Sequence, residues 1–133
     1  MGSASVGFVH LHVHTSFSLR EGALTLGKLL ALAKADDQPA LAITDTNNLF
    51  GALEFSEKAA KEGVQPIAGA QLTLEFADGG AFSARGADQG AGRASVVLLA
   101  QNEAGYRNLM HLASRAWIDP VDGDLPHLPL DRL

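Results

Sequence analysis

Short apolar runs alternate with amphipathic helical patterns along most of this chain, and that alternation limits the folds open to it. A period of two over residues 7–14 predicts a first strand, and the continuous apolar run at 40–44 predicts a buried second strand. A third strand is predicted over 65–76 with an interruption at Gly69, and a fourth, buried strand over 94–100. Strands that alternate with helices are typical of a parallel α/β sheet.

Three helices are predicted between these strands. The first runs from a cap at Thr25 to about residue 34, the second spans about residues 50–62, and the third spans about residues 103–117 after a cap at Asn102. Gly63 stands where a left-handed helix terminus is expected. Aliphatic residues form the predicted inner faces: Leu26, Leu29, Leu30 and Ala33 in the first helix, and Leu109, Leu112, Ala113 and Ala116 in the third.

The 133 residues suit one domain, which we assign to residues 6–133. Residues 1–5 are expected to be a disordered start or a tag remnant, without a signal peptide. Residues 77–93 are rich in glycine and predict a flexible, solvated excursion, in which Phe82 allows a weak hairpin strand. Residues 119–133 contain three prolines and predict an irregular tail, with a helix just beginning at residue 130.

Composition excludes several classes of protein. A hydrophobic fraction of 47% excludes global disorder, and no apolar run approaches the ~20 residues that span a bilayer. The chain has no cysteine, so a metal site would have to use histidines and carboxylates. A net charge of −5 argues against a strong grip on nucleic acid within this segment. A cytoplasmic protein is the expectation.

Three histidines alternate with apolar residues in His10-Leu11-His12-Val13-His14. On a strand, side chains two residues apart emerge on the same face about 7 Å apart, so two imidazoles can converge on one ion beyond the strand end. Zinc, iron and manganese all accept imidazole ligands. The alternative is a solvent-exposed strand edge, whose histidines form hydrogen bonds only with neighbouring residues.

Three further polar residues lie near predicted strand ends or loops. Asp45 directly follows the buried strand, at the edge of α/β sheets where functional groups collect, although it could also hold the amides of Asn47 or Asn48 in a turn. Glu21 is a loop carboxylate that could equally be an ordinary solvated residue. Gln71 offers an amide oxygen, which is a poor ligand for transition metals.

Four blocks of this sequence together resemble the PHP (polymerase and histidinol phosphatase) domain family. They are the segment 8–15 with Ser18-x-x-Glu21-Gly22, the segment 42–45 with 48–51, the segment 63–69, and the segment 98–102 with 105–109. Their order and spacing are most similar to the N-terminal part of this domain in the bacterial replicative polymerases, the DNA polymerase III alpha subunits.

The resemblance implies a partial PHP-type distorted β/α barrel with mainly parallel strands and up to three metals at the strand ends. It assigns His12, His14 and Glu21 as ligands, with His10 and Asp45 as support at the strand end. Three positions depart from the family pattern: Thr46 replaces a histidine, Gln71 replaces a glutamate, and Ser95 stands where a histidine is common. These departures predict a degenerate site that holds zinc, manganese or magnesium weakly, or holds no metal.

Three functions follow from these patterns. The first is the PHP segment of a replicative DNA polymerase, structural in role and able to dock a proofreading exonuclease subunit, with DNA handled by the rest of the polymerase chain. The second is an active metal-dependent phosphoesterase or 3′–5′ exonuclease, and the third is an unrelated α/β binding domain. About half a barrel is expected in this length, so we also predict self-association through uncovered sheet edges.

Overall fold

The computed structural model describes residues 7–76 and 92–133. The helices are α1 (Leu26–Ala35), α2 (Ala52–Glu62) and α3 (Glu103–Ile118), the strands are β1 (Ala40–Thr46), β2 (Gln65–Phe76), β3 (Gly92–Leu99) and β4 (Leu128–Pro129), and a 3-10 turn covers Leu130–Arg132. The predicted tag remnant and most of the glycine-rich excursion, including Phe82, lie outside the described residues. None of the described helices is long and apolar enough to cross a membrane.

β2 is the central strand of the sheet. It pairs in parallel with β1 from Ala40↔Gln65 to Thr46↔Gln71, and antiparallel with β3 from Gly69↔Leu99 onward. Because β3 occupies one edge of β2, the short β4 pairs in parallel at the other edge, beyond the point where β1 ends. Two of the three pairings are parallel, which confirms a mainly parallel α/β sheet that stays open within the described residues.

Two apolar clusters hold the helices to the sheet. The first joins α1 and α2 to β1, and the second joins α3 and β4 to β2. The predicted inner face of α1 is buried in full, and in α3 Leu109, Ala113 and Ala116 are buried while Leu112 is half-buried. Phe55 on α2 and Leu72 on β2 are the largest apolar side chains at the two centres, each at most 1% exposed.

The first predicted strand, residues 7–14, is wrong: the segment is hydrogen-bonded to β1 but forms no strand. The amides of Ala42 and Thr44 donate to the carbonyl oxygens of His10 (3.0 Å) and Val13 (2.8 Å). These acceptors are three residues apart although the donors are two apart, so one extra residue interrupts the ladder. The Thr44 hydroxyl then accepts from the amide of Val13 at 3.0 Å, in place of a backbone partner.

The fourth predicted strand exists, but its direction and environment differ from the prediction. β3 is antiparallel to β2, begins at Gly92 rather than at residue 94, and is half-buried or exposed along its length rather than buried. Gly92 and Arg93 therefore belong to the sheet and not to the glycine-rich excursion. An apolar run predicts a strand but carries no information on its direction, which caused the error.

Gly69 does not interrupt β2, which is continuous through residues 65–76. A Cβ atom at Gly69 would lie 2.6 Å from the carbonyl oxygen of Leu98 and 3.0 Å from the Thr44 side chain. The residue is therefore required by the close approach of the flanking strands, and it does not break the strand.

The ends of the helices largely follow their predicted signals. The side chain of Asn102 caps α3 by accepting from the amide of Gly105, and Gly63 ends α2 with a φ of +73°. Thr25 is the residue before α1, but its side chain makes no capping hydrogen bond. α2 begins at Ala52, two residues later than predicted.

The tail is more ordered than its prolines predicted. Besides β4 and the 3-10 turn, side chains attach it to the sheet: Arg93 contacts Asp124 at 2.8 Å and Glu75 at 3.1 Å. His127 lies 2.8 Å from the same Glu75 carboxylate. Residues 119–127 form no helix or strand, and the 3-10 turn lies where a helix was expected to begin; the two-residue β4 and these side-chain contacts were not predicted.

Candidate functional site

Asp45 anchors the loop that follows the histidine segment. Its carboxylate, 2% exposed, accepts hydrogen bonds from the Thr15 amide (2.7 Å), the Thr15 hydroxyl (2.8 Å) and the Ser18 hydroxyl (2.6 Å). It does not hold the amides of Asn47 or Asn48, which the turn interpretation required. A buried carboxylate needs several donors, and here one short loop supplies all three.

The loop between Thr15 and Gly22 is fitted closely to β1. The amide of Thr46 donates to the Ser18 hydroxyl at 3.0 Å, so Ser18 joins the loop to the strand through both Asp45 and Thr46. A Cβ atom at Gly22 would lie 2.1 Å from the carbonyl oxygen of Thr15, so a side chain at this position would open the loop. These contacts fix the position from which Glu21 projects.

The amide of Gln71 lies between two histidine rings. Its Oε1 atom is 2.7 Å from Nε2 of His12 and 3.1 Å from Nε2 of His14. The rings stand edge to face, with centroids 5.2 Å apart. Because Gln71 of β2 lies opposite Thr46, the last residue of β1, its side chain reaches both imidazoles from the neighbouring strand. The two nitrogens that could converge on an ion converge on an amide oxygen.

Glu21 completes the group from the loop side. Its carboxylate lies 3.2 Å from Nδ1 of His14 and accepts a hydrogen bond from the Thr46 hydroxyl. The chain therefore brings together five of the predicted site positions, namely His12, His14, Glu21, Thr46 and Gln71. The Glu21 side chain is 43% exposed, against 19% for that of His14.

Two predicted site residues lie elsewhere. The ring of His10 packs on Phe8 with centroids 4.7 Å apart and lines a depression with Leu24 and Leu41. The extra residue in the ladder between His10 and Val13 explains why His10 leaves the face of the other two histidines. Ser95 is an exposed residue of β3 and lies opposite Thr73 of β2. Its side chain makes none of the hydrogen bonds found among the described residues.

The donor set does not fit the multinuclear metal centre that the family resemblance implies. Within residues 7–76 and 92–133, no three His, Cys, Asp or Glu side chains form a group that could hold a metal ion. An amide and a hydroxyl, from Gln71 and Thr46, stand where stronger ligands are expected. In the same part of the chain, no buried side-chain nitrogen or oxygen lacks a hydrogen-bond partner. The polar side chains of the site contact one another through Gln71, Glu21 and Thr46.

Sequence reasoning missed the residues that support the site by bonding Asp45 and by joining β1 to β2. Thr15 and Ser18 supply all the donors to Asp45, and Asn47 ties the strand ends by bonding the backbone amide of Thr73 at 3.0 Å. Their residue types did not predict burial, because Thr, Ser and Asn are commonly exposed. The available signal was the spacing of Thr15 and Ser18 within the first motif, just before Glu21.

The PHP domain family matches residues 10–132. DNA polymerase III subunit alpha of Thermus aquaticus is 45% identical over 121 residues, and that of Treponema pallidum is 43% identical over 116 residues. The error-prone DNA polymerase of Symbiobacterium thermophilum is 43% identical over 111 residues. The alignments cover 90%, 87% and 84% of this chain, but only 10%, 10% and 9% of those proteins.

A solved structure supports the fold independently. An amidohydrolase from Chromobacterium violaceum, solved with bound sulfate and without metal, superimposes with a TM-score of 0.54 at 23% identity. The match covers 80% of this chain and 34% of that protein. At this level of identity the likeness concerns the arrangement of strands and helices alone.

Proposed function

We propose, from the premise that this chain belongs to the PHP domain family, that it is the PHP segment of a DNA polymerase III alpha subunit. The similarity to several such subunits over most of this chain supports the assignment. Because the chain spans about a tenth of the length of these relatives, DNA synthesis is assigned to the longer polymerase and not to this segment. The natural location would then be the cytoplasm. Family membership excludes the third hypothesis, an unrelated binding domain.

The role of the segment within that polymerase is structural or docking rather than hydrolytic. The observation that carries this proposal is the Gln71 amide oxygen within 3.1 Å of both imidazole Nε2 atoms. A phosphoesterase of this type uses bound cations to activate water and to neutralise charge at phosphorus. In this chain the nitrogens that would bind such a cation are occupied by an internal hydrogen-bond network. The partners would be the remainder of the polymerase and a proofreading exonuclease subunit.

Residual metal binding would be weak and would involve one ion at most. His12 and His14 both contact Gln71, and His14 contacts Glu21, but among the described residues these side chains do not form a group that could hold a metal ion. An ion could reach the two imidazoles only after the Gln71 side chain turned away. Zinc, manganese or magnesium would therefore bind at low occupancy. The chemistry that a full site would supply, activation of a water molecule, is not assigned to this chain.

Metal analysis combined with a hydrolysis assay tests the proposal. The purified chain is dialysed against zinc or manganese, its metal content is measured by mass spectrometry, and hydrolysis of bis(p-nitrophenyl) phosphate is followed. Less than one metal per chain with background hydrolysis is the expected result. Stoichiometric metal with hydrolysis that His12→Ala abolishes would favour the active phosphoesterase instead.

A further inference from the structure

The lysines of this acidic chain are confined to two helices. Lys28 and Lys34 are on α1, Lys58 and Lys61 are on α2, and the sequence contains no other lysine. Lys34, Lys58 and Lys61 line a groove between the two helices, whereas Lys28 does not. The whole chain has a net charge of −5, whereas the side chains that line this groove carry more positive than negative charge.

Small residues form the floor of this feature, which we call the lysine groove: Gly27, Ala31 and Ala35 of α1, with Lys34, Lys58 and Lys61 at its rim. Nothing in the described fold lies within 4 Å of a Cβ atom built on Gly27. Glycine is less favourable than alanine inside a helix, and no internal contact requires it here. The open floor leaves room for an apolar side chain to approach α1.

The rim keeps its positive character despite two ion pairs. Lys34 contacts Glu62 at 2.8 Å, and Lys58 contacts Glu54 at 2.5 Å, with all four side chains about half exposed. Such exposed pairs are weak and exchange readily with other partners. The hydrogen bond from Lys34 lowers the pKa of Glu62, so that carboxylate is ionised at neutral pH. Three cations nevertheless face one carboxylate in the groove, and Lys61 makes none of the ion pairs found in the described chain.

We propose that the lysine groove binds a short acidic segment of a partner protein. Carboxylates of the segment would pair with Lys34, Lys58 and Lys61, and small apolar side chains would lie on Gly27 and Ala31. Nucleic acid fits less well, because its phosphates would use the rim but leave the apolar floor uncovered. The groove shares no lining residue with the site around Gln71, so the two proposals can fail separately.

Fluorescence anisotropy of the full chain tests the proposal. The probe is a short fluorescein-labelled peptide of alternating Glu, Ala and Leu, compared with the same peptide carrying Gln in place of Glu. We expect the acidic peptide to bind, to weaken as salt is raised, and to lose about tenfold in affinity in K58E/K61E. The control is K28E, on α1 and outside the groove, which should bind as the wild-type chain does.

Three outcomes would overturn the proposal. The first is equal binding of the Gln peptide, or no binding of either peptide. The second is an equal loss in K28E, which would indicate attraction to the overall charge of the helices rather than to the groove. The third is displacement of the peptide by a single-stranded oligonucleotide at a lower concentration than unlabelled peptide requires, which would make the groove a nucleic-acid site. Circular dichroism of each variant confirms that the helices are retained.

Discussion

Removing the Asp45 carboxylate should weaken the fold through the loop that carries the candidate site. Asp45 is 2% exposed and accepts three hydrogen bonds of 2.6–2.8 Å, two from Thr15 and one from Ser18. In Asp45→Ala these bonds are lost and the buried amide of Thr15 is left without its acceptor. In Asp45→Asn the shape is kept and one oxygen can still accept, so the damage should be smaller.

The expected loss in the free energy of unfolding follows from the three hydrogen bonds that Asp45 accepts. A hydrogen bond to a charged group contributes about 1.5–3 kcal/mol, and an unsatisfied buried donor costs about 1–3 kcal/mol. The two hydroxyls can turn to other partners, and the substitution also removes the cost of burying a charge. We therefore expect Asp45→Ala to lower the free energy of unfolding by about 3 kcal/mol and Asp45→Asn by about 1–2 kcal/mol. A domain of ordinary stability, about 5–15 kcal/mol, would remain folded.

Urea unfolding measures these differences. Circular dichroism reports the helices, and fluorescence of Trp117, whose ring nitrogen donates to the carbonyl oxygen of Asn47, reports the neighbouring strand end. Asp122→Ala is the control, because Asp122 is exposed and makes none of the hydrogen bonds among the described residues; its effect should stay below about 0.5 kcal/mol. An Asp45→Ala variant within about 1 kcal/mol of the wild-type chain would refute the assigned anchoring role.

Three further predictions concern the metal site, the tail and association. Gln71→Glu, alone or with Thr46→His, should raise zinc affinity at least about tenfold in calorimetry, because a carboxylate and an imidazole replace weak ligands; unchanged affinity would count against a blocking role for the amide. The hydrogen bond from Arg93 lowers the pKa of Asp124, so this pair stabilises the fold above about pH 4 and its contribution is lost as the pH falls through the lowered value. The urea midpoints of the wild-type chain and Asp124→Asn should therefore converge in acid, and a gap that is independent of pH would contradict this. Sedimentation velocity should show self-association of the isolated chain, whereas a clean monomer at high concentration would argue against uncovered interaction surfaces.

Elements with a strong local signal could be predicted from the sequence. The apolar stripe of α1, the Asn102 cap of α3 and the left-handed Gly63 each depend on residues within a few positions of one another. The direction of β3 could not be predicted, since an apolar run reads the same in both directions and the pairing partner decides. The same limit explains why the role of Gly69 was not predicted. A glycine is required there because the carbonyl oxygen of Leu98, which is distant in sequence, lies too close for a side chain.

The candidate site shows a similar division. The motifs identified His12, His14 and Glu21, but the alternation that grouped His10 with them failed where one extra residue interrupts the pairing with β1. The contact of Gln71 with both rings depends on the register of two strands, which no local pattern contains. Position along the chain therefore yielded candidate residues, whose role in a site stays a prediction, and tertiary pairing decided what they contact.

Thr46 and Gln71, the two positions where the family resemblance implies stronger ligands, are partners in the sheet and belong to one set of contacts. Thr46 and Gln71 lie opposite each other in the β1–β2 register. Thr46 donates to Glu21, Glu21 contacts His14, and His14 and His12 both contact Gln71, so the four contacts form one connected set. Changing one member alone leaves a neighbour without its partner, whereas changing both can build a new set. Such coupling is expected to make the effects of the two substitutions on stability non-additive, because the connected set joins the end of β1 to β2 and to the loop that carries Glu21.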